Sequence, residues 1–198
     1  MTKYVINSGG IQNNPDLKKK FHQELVKELG DKPKFVLCNF GQVREIWESK
    51  FQGYCDAILE DMPENVNPSF ELAIPDTFTS QCQAANIVYF HGGDDYLVQF
   101  WMKQFDIDKL FSDKVVATNS GSSDMLATHF WPSDWRKCLD GLGILPIKFI
   151  PHYTSTFVDD DPRGPIDWQK AYDELAAYGD TSLPIHALKE GEFVVIEQ

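Results

Sequence analysis

Short apolar runs alternate with longer segments of helical period along the whole chain, and this alternation restricts the fold more than any single residue does. A strand repeats every two residues and a helix every 3.6, so the two patterns mark separate elements. Strands separated by helices pair most readily in parallel, because a parallel crossover needs a dozen or more residues. The predicted strands are residues 3–7, 34–38, 69–73, 86–90, 114–118 and 146–150, with a closing hairpin of 184–188 and 192–196 turning at Glu190-Gly191. Between them, Asn14-Pro15-Asp16 opens a helix that Gly30 ends, a second helix covers 42–60, and Asp76 caps a third over 77–85. Further helices are predicted at about 95–104 and near 166–178. The expected architecture is α/β, a mostly parallel sheet with helices on both faces.

A chain of 198 residues, 42% hydrophobic and without a repeat or evident linker, suits one domain over 1–198. Its 18 basic and 30 acidic residues leave a net charge of −12. That field repels polyanions and argues against partnership with nucleic acid or anionic membranes. No stretch reaches the roughly 20 apolar residues of a membrane helix, and the N-terminus turns polar too soon for a secretory signal. Cys38, Cys55, Cys82 and Cys138 are scattered, which suits reduced thiols in the cytoplasm, and the histidines show no ligand spacing, so no metal or other cofactor is expected.

Ligands of open α/β sheets sit outside the carboxyl ends of the strands. Three predicted strand ends carry suitable residues: Gly92-Gly93-Asp94, Asn119-Ser120-Gly121-Ser122 and Pro151-His152-Tyr153. A serine on a tight strand-to-helix turn exposes its hydroxyl, and the next amide points toward an oxyanion; Ser120 and Gly121 hold those positions. The ordinary readings are a turn for Gly-Gly and a helix cap for Ser120 or Ser122. His91 adjoins the glycine loop and is a minor candidate for substrate contact. Asp159-Asp160-Asp161 reads as a solvated loop or as a lip for a cationic group. Phe100, Trp101, Phe105 and Phe111 read as core.

In this order, the features resemble the peptidase E family, aspartyl dipeptidases with cyanophycinase relatives. Residues 87–94 look like its strand into a Gly-Gly-Gly-Asn loop, and 115–123 like its strand into a Gly-x-Ser-Ala-Gly elbow. Residues 141–153, ending in Pro-His-Tyr, resemble the segment carrying its histidine, and 188–191 its closing acidic turn. The resemblance implies a flavodoxin-like, class I glutamine-amidotransferase-like fold and a serine hydrolase that cuts short peptides beginning with aspartate. It implies Ser120 as nucleophile, His152 as base, and Glu190 as third member, with Asp134 the other acidic position. It also implies oxyanion donors at Gly93, Asp94 and Gly121, and substrate contacts from Gly92 and from Arg163, an arginine for the aspartyl carboxylate. The expected partner is a small peptide, acting on a monomer or homodimer.

The chain departs from that pattern at the elbow. Thr118 and Ser122 stand where the turn takes glycines, and Gly121 replaces alanine. Asp94 replaces asparagine, and its carboxylate would oppose an oxyanion or else engage the substrate's ammonium. Two alternatives follow: a member that binds a small ligand without cleaving it, or a hydrolase of β-aspartyl or cyanophycin-like peptides. A glutaminase-type mechanism is disfavoured, since it uses cysteine where this chain has Ser120.

Overall fold

The computed structural model describes residues 1–156 and 160–198. Six strands form one sheet, in the order β10 (Phe193–Glu197), β1 (Lys3–Asn7), β5 (Val115–Asn119), β4 (Ile87–Phe90), β2 (Lys34–Cys38) and β3 (Ser69–Leu72). All neighbours are parallel except β10, which runs antiparallel to β1. The strands' side chains alternate between two cores. Tyr4, Ile6, Val36, Cys38, Val88 and Phe90 face one side, while Val5, Phe35, Leu37, Ile87 and Tyr89 face the other. Burial on both faces explains why these runs are continuously apolar.

Helix α1 (Pro15–Val26) and the latter part of α2 (Trp47–Leu59) cover one face, through Phe21, Leu25, Cys55 and Ile58. The other face takes α3 (Phe78–Ala84), α4 (Asp95–Met102) and α5 (Ile107–Phe111), through Phe78, Cys82, Val98, Met102 and Phe111. Asn14 caps α1 as expected, its side chain accepting from the Leu17 amide at 3.1 Å. Asp76 does not cap α3. It lies inside a 3-10 turn, Pro75–Thr77, and the helix begins at Phe78 without a side-chain cap. Of the predicted core aromatics, Phe111 is buried and Trp101 and Phe105 pack against the core, but Phe100 is 60% exposed.

A second sheet departs from the expectation of a single one. It orders β7 (Leu139–Asp140), β6 (Ala127–Phe130), β8 (Leu145–Ile150) and β9 (Ile185–Ala187), and follows a short helix, α6 (Gly121–Asp124). Helix α7 (Trp168–Ala177) packs on it through Ala171 and Leu175. Lys148 is fully buried, its Nζ donating to the Leu175 and Ala176 carbonyls at 2.8 and 3.0 Å, where the end of α7 favours a cation.

The predicted closing hairpin does not form. Strand β9 pairs in parallel with β8, whereas β10 crosses to the other sheet and pairs with β1. The Glu190-Gly191 turn therefore bridges the two sheets at the carboxyl ends of β1 and β8. Asn7 fixes it there: Nδ2 donates to the Glu192 carbonyl at 3.1 Å and Oδ1 accepts from the Gly9 amide at 2.8 Å. Asn7→Ala leaves the buried Gly9 amide and the buried Gly191 carbonyl, which Nδ2 reaches at 3.3 Å, without these bonds, and we expect it to cost about 2–3 kcal/mol in denaturant unfolding. A loss under about 0.5 kcal/mol would show that the bridge holds without it.

Candidate active site

The turn after β5 is tight because three loops interlock beneath it. Ser120 has φ 51° and ψ −129°, a conformation that costs a non-glycine residue about 1–3 kcal/mol. It is held by its own amide donating to the Asn7 carbonyl at 3.1 Å and by its carbonyl accepting from the Ser123 amide at 2.6 Å. A Cβ on Gly121 would run into the Gly93 carbonyl, and one on Gly93 would run into the Gly41 carbonyl. Close backbone approach, rather than turn geometry alone, demands glycine at both positions.

Thr118 does not crowd this elbow. It points into the core, fully buried, and its hydroxyl accepts from Ser123 Oγ at 2.9 Å. Ser122 Oγ donates to the His91 carbonyl at 2.6 Å and ties the elbow to the end of β4. The two residues that depart from the glycine pattern thus brace the turn.

The next strand end brings in His152. Its Nε2 lies 2.9 Å from Ser120 Oγ. Its backbone sits at φ 54° and donates to Ser8 Oγ at 2.6 Å, while Ser8 Oγ donates to the Leu188 carbonyl at 2.8 Å. The Tyr153 amide donates to the same carbonyl at 2.8 Å. Glu190 Oε1 lies 3.4 Å from His152 Nδ1 and accepts from Ser155 Oγ at 2.7 Å. Gly9 and Gly10 pack against this group: a Cβ on Gly9 would enter the His152 ring, and one on Gly10 would approach Glu190 Cδ to 2.8 Å. Nothing near Ser8, Gly9 and Gly10 in sequence signals their contact with residue 152.

Burial lowers the His152 pKa below its ordinary value, and the Glu190 carboxylate opposes that shift. The imidazole is neutral near pH 7 and can accept a proton at Nε2. Asp134 is exposed on the rim of the same cleft and raises the His152 pKa only weakly. Glu190 is the carboxylate beside Nδ1.

Other sequence candidates fall elsewhere. The Asp94 amide donates to the Gly41 carbonyl at 2.7 Å, so it is not available to an oxyanion. Its side chain caps α4, accepting from the Leu97 amide at 2.8 Å, and neither opposes an oxyanion nor reaches for an ammonium. Gly92 packs against Ser120 Cβ, where an added Cβ would lie at 3.2 Å, and its carbonyl accepts from Gln42 Nε2 at 3.0 Å. His91 is buried and stacked on Tyr54 with ring centroids 3.6 Å apart, away from substrate contact. Arg163 spends its fork on Asp161, with Nη2–Oδ2 at 2.5 Å and Nε–Oδ1 at 2.8 Å, and donates from Nη1 to the Asp134 carbonyl at 2.9 Å. This pairing holds the Asp161 carboxyl well below the usual carboxylate range. Asp159, in the predicted acidic lip, lies outside the described residues. The cleft itself, about 250 Å³, is floored by Ser120 and Gly121 and walled by Asp95, Asp124, Pro132 and His152.

Fold and site together define an α/β protein with a serine, a histidine and a carboxylate in series at a strand-to-helix elbow. Comparison of solved structures places that fold among the peptidase E-like proteins. A peptidase from an acI-B1 Actinobacterium superposes with a TM-score of 0.63 at 19% identity, over 99% of this chain and 83% of that one. A candidate Peptidase E from Listeria monocytogenes EGD-e gives 0.65 at 14% identity, over 100% of this chain and 99% of that one. No protein-family model matches the sequence, and no curated protein matches it either. Among the described residues no helix is long and apolar enough to cross a membrane.

The electrostatics have a direct test in the His152 ring. By ¹⁵N NMR titration it should titrate below pH 6.5, and Glu190→Gln should move it lower still, since the variant removes the charge that favours imidazolium. A rise in the variant would contradict the placement of Glu190.

Proposed function

We propose that this protein is a serine hydrolase of short peptides. The observation that carries the reading is the 2.9 Å contact between Ser120 Oγ and His152 Nε2 at a strained elbow. Ser120 Oγ attacks the scissile carbonyl carbon as its proton passes to Nε2. Glu190 orients the ring through Nδ1 and stabilises the imidazolium. The Gly93 and Gly121 amides are the proposed donors to the oxyanion, and one such donor contributes about 100- to 1000-fold. Imidazolium then protonates the leaving amine, the C–N bond breaks, and an acyl ester remains on Ser120. A water that loses its proton to His152 hydrolyses the ester and regenerates the serine. Every proton transfer uses groups of this chain and water.

The finer reading is a peptide with N-terminal aspartate, its carboxylate taken by Arg163 on the cleft's outer side. Arg163 must then exchange Asp161 for substrate, which a half-exposed surface ion pair permits at small cost. Its bidentate geometry with Asp161 shows the kind of carboxylate contact the side chain makes. The four free cysteines suit a reducing compartment, consistent with the cytoplasm.

A panel of Asp-X, Glu-X, Asn-X and β-Asp-X dipeptides tests both levels. Wild type should turn over Asp-X fastest, and Ser120→Ala should lower kcat/KM by about 1000-fold or more. Equal rates in the two proteins would eliminate the serine mechanism. No turnover of any peptide by folded wild type would favour a ligand-binding protein.

A further inference from the structure

Gln42 stands behind the Gly92-Gly93 loop and has no part in the reaction written above. It lies half-buried in the loop between β2 and α2 rather than at the start of a helix. Its backbone is held twice: the amide donates to the Asn39 carbonyl at 2.8 Å, and the carbonyl accepts from Trp47 Nε1 at 2.9 Å. Its side-chain Nε2 uses both hydrogens, one on Tyr54 Oη at 2.9 Å and one on the Gly92 carbonyl at 3.0 Å. Tyr54 is in turn stacked on the buried His91 ring, with centroids 3.6 Å apart. The orientation of the side-chain amide is therefore settled, because Oε1 in the same place would face a carbonyl oxygen.

The bond to Gly92 sets the direction of a neighbouring donor. The peptide between Gly92 and Gly93 is trans, so the Gly92 carbonyl and the Gly93 N–H point opposite ways. With the carbonyl turned toward Gln42, the N–H turns away from it. Gly93 lines the cleft with Ser120 on that other side, whereas Gln42 does not line it. One residue on, the Asp94 amide donates to the Gly41 carbonyl at 2.7 Å, so residues 41 and 42 grip the chain on both sides of Gly93. Among the described residues no backbone carbonyl accepts from the Gly93 amide. A peptide flanked by two glycines rotates more freely than any other in the chain, and here one side-chain donor opposes that rotation.

We infer that Gln42 is a positioning residue, holding the Gly92–Gly93 peptide so that the Gly93 N–H is directed into the cleft beside Ser120. It thereby orients one of the two proposed oxyanion donors. The inference rests on the proposed hydrolysis for the word oxyanion only, since the orientation of the peptide is a property of the loop. Gln42 acts through the Gly92 carbonyl and not on the substrate.

Gln42→Met keeps the length of the side chain, fills similar space and removes both donors. In isotope-labelled wild type, the couplings between the Gly93 amide proton and its two Hα protons should fit a single φ near 156°. In Gln42→Met they should move to averaged values, with exchange broadening of the Gly93 resonance and an unchanged circular-dichroism spectrum. Gln42→Glu, isosteric and without a donor when ionised at pH 8, should do the same. Couplings already averaged in wild type, or unchanged in both variants, would overturn the inference.

Turnover of Asp-X reads the same bond through kcat. Loss of the restraint, with the donor itself still present, should lower kcat by about 10- to 100-fold and leave KM within about twofold. A wild-type kcat in Gln42→Met, or a loss carried by KM alone, would overturn the inference. A wild type that turns over no peptide would defeat the hydrolase reading, and the Gly93 couplings would then decide for or against Gln42 by themselves.

Discussion

The contact on which the rest depends is the nesting of three backbone loops under Ser120. Gly41, Gly93 and Gly121 stack so closely that each later glycine has no room for a Cβ against the carbonyl of the one before. This packing, with the amide of Ser120 tied to the Asn7 carbonyl, holds the serine at a positive φ that it would otherwise leave. The strain is modest beside the burial that opposes its release, since the strands carrying these loops lie in the centre of the six-stranded sheet. The Ser120 hydroxyl held this way lies 2.9 Å from His152 Nε2.

His152 arrives from the other sheet, and this is where the two halves of the fold meet at one cleft. Ser8, at the end of β1, joins the His152 backbone to the Leu188 carbonyl, and Asn7 fastens the turn that carries Glu190. The electrostatics of the centre oppose one another by design of position. Burial keeps His152 neutral, and Glu190 restrains that shift.

Much of the fold was legible because the strands are apolar on both faces, and residues 3–7 and 34–38 match β1 and β2 residue for residue. The failures were failures of partner choice. Segments 184–188 and 192–196 have hairpin spacing and an intervening Glu-Gly, but a strand's partner is set by distant edges, and both β1 and β8 offered one. The reading of the Asp94 carboxylate failed for a local reason that was visible, since a helix predicted to start at about 95 needs a cap and Asp94 serves it, whereas its amide is taken by the distant Gly41 carbonyl. Asp95 and Asp124 left no signal, because nothing in sequence distinguishes a buried aspartate from a solvated one. The strand-end serine and histidine were readable from position, whereas Gly9 and Gly10 were not, since their constraint comes from residues 152 and 190.

The central claim is that Ser120 is an activated nucleophile, and the most direct test is covalent. Purified protein is treated with a small fluorophosphonate at pH 7.5, and its intact mass and peptide map are measured. The account requires one adduct per chain, on Ser120, formed at least about 100-fold more slowly in His152→Ala. Labelling elsewhere, or labelling of Ser120 at the same rate without His152, would contradict it.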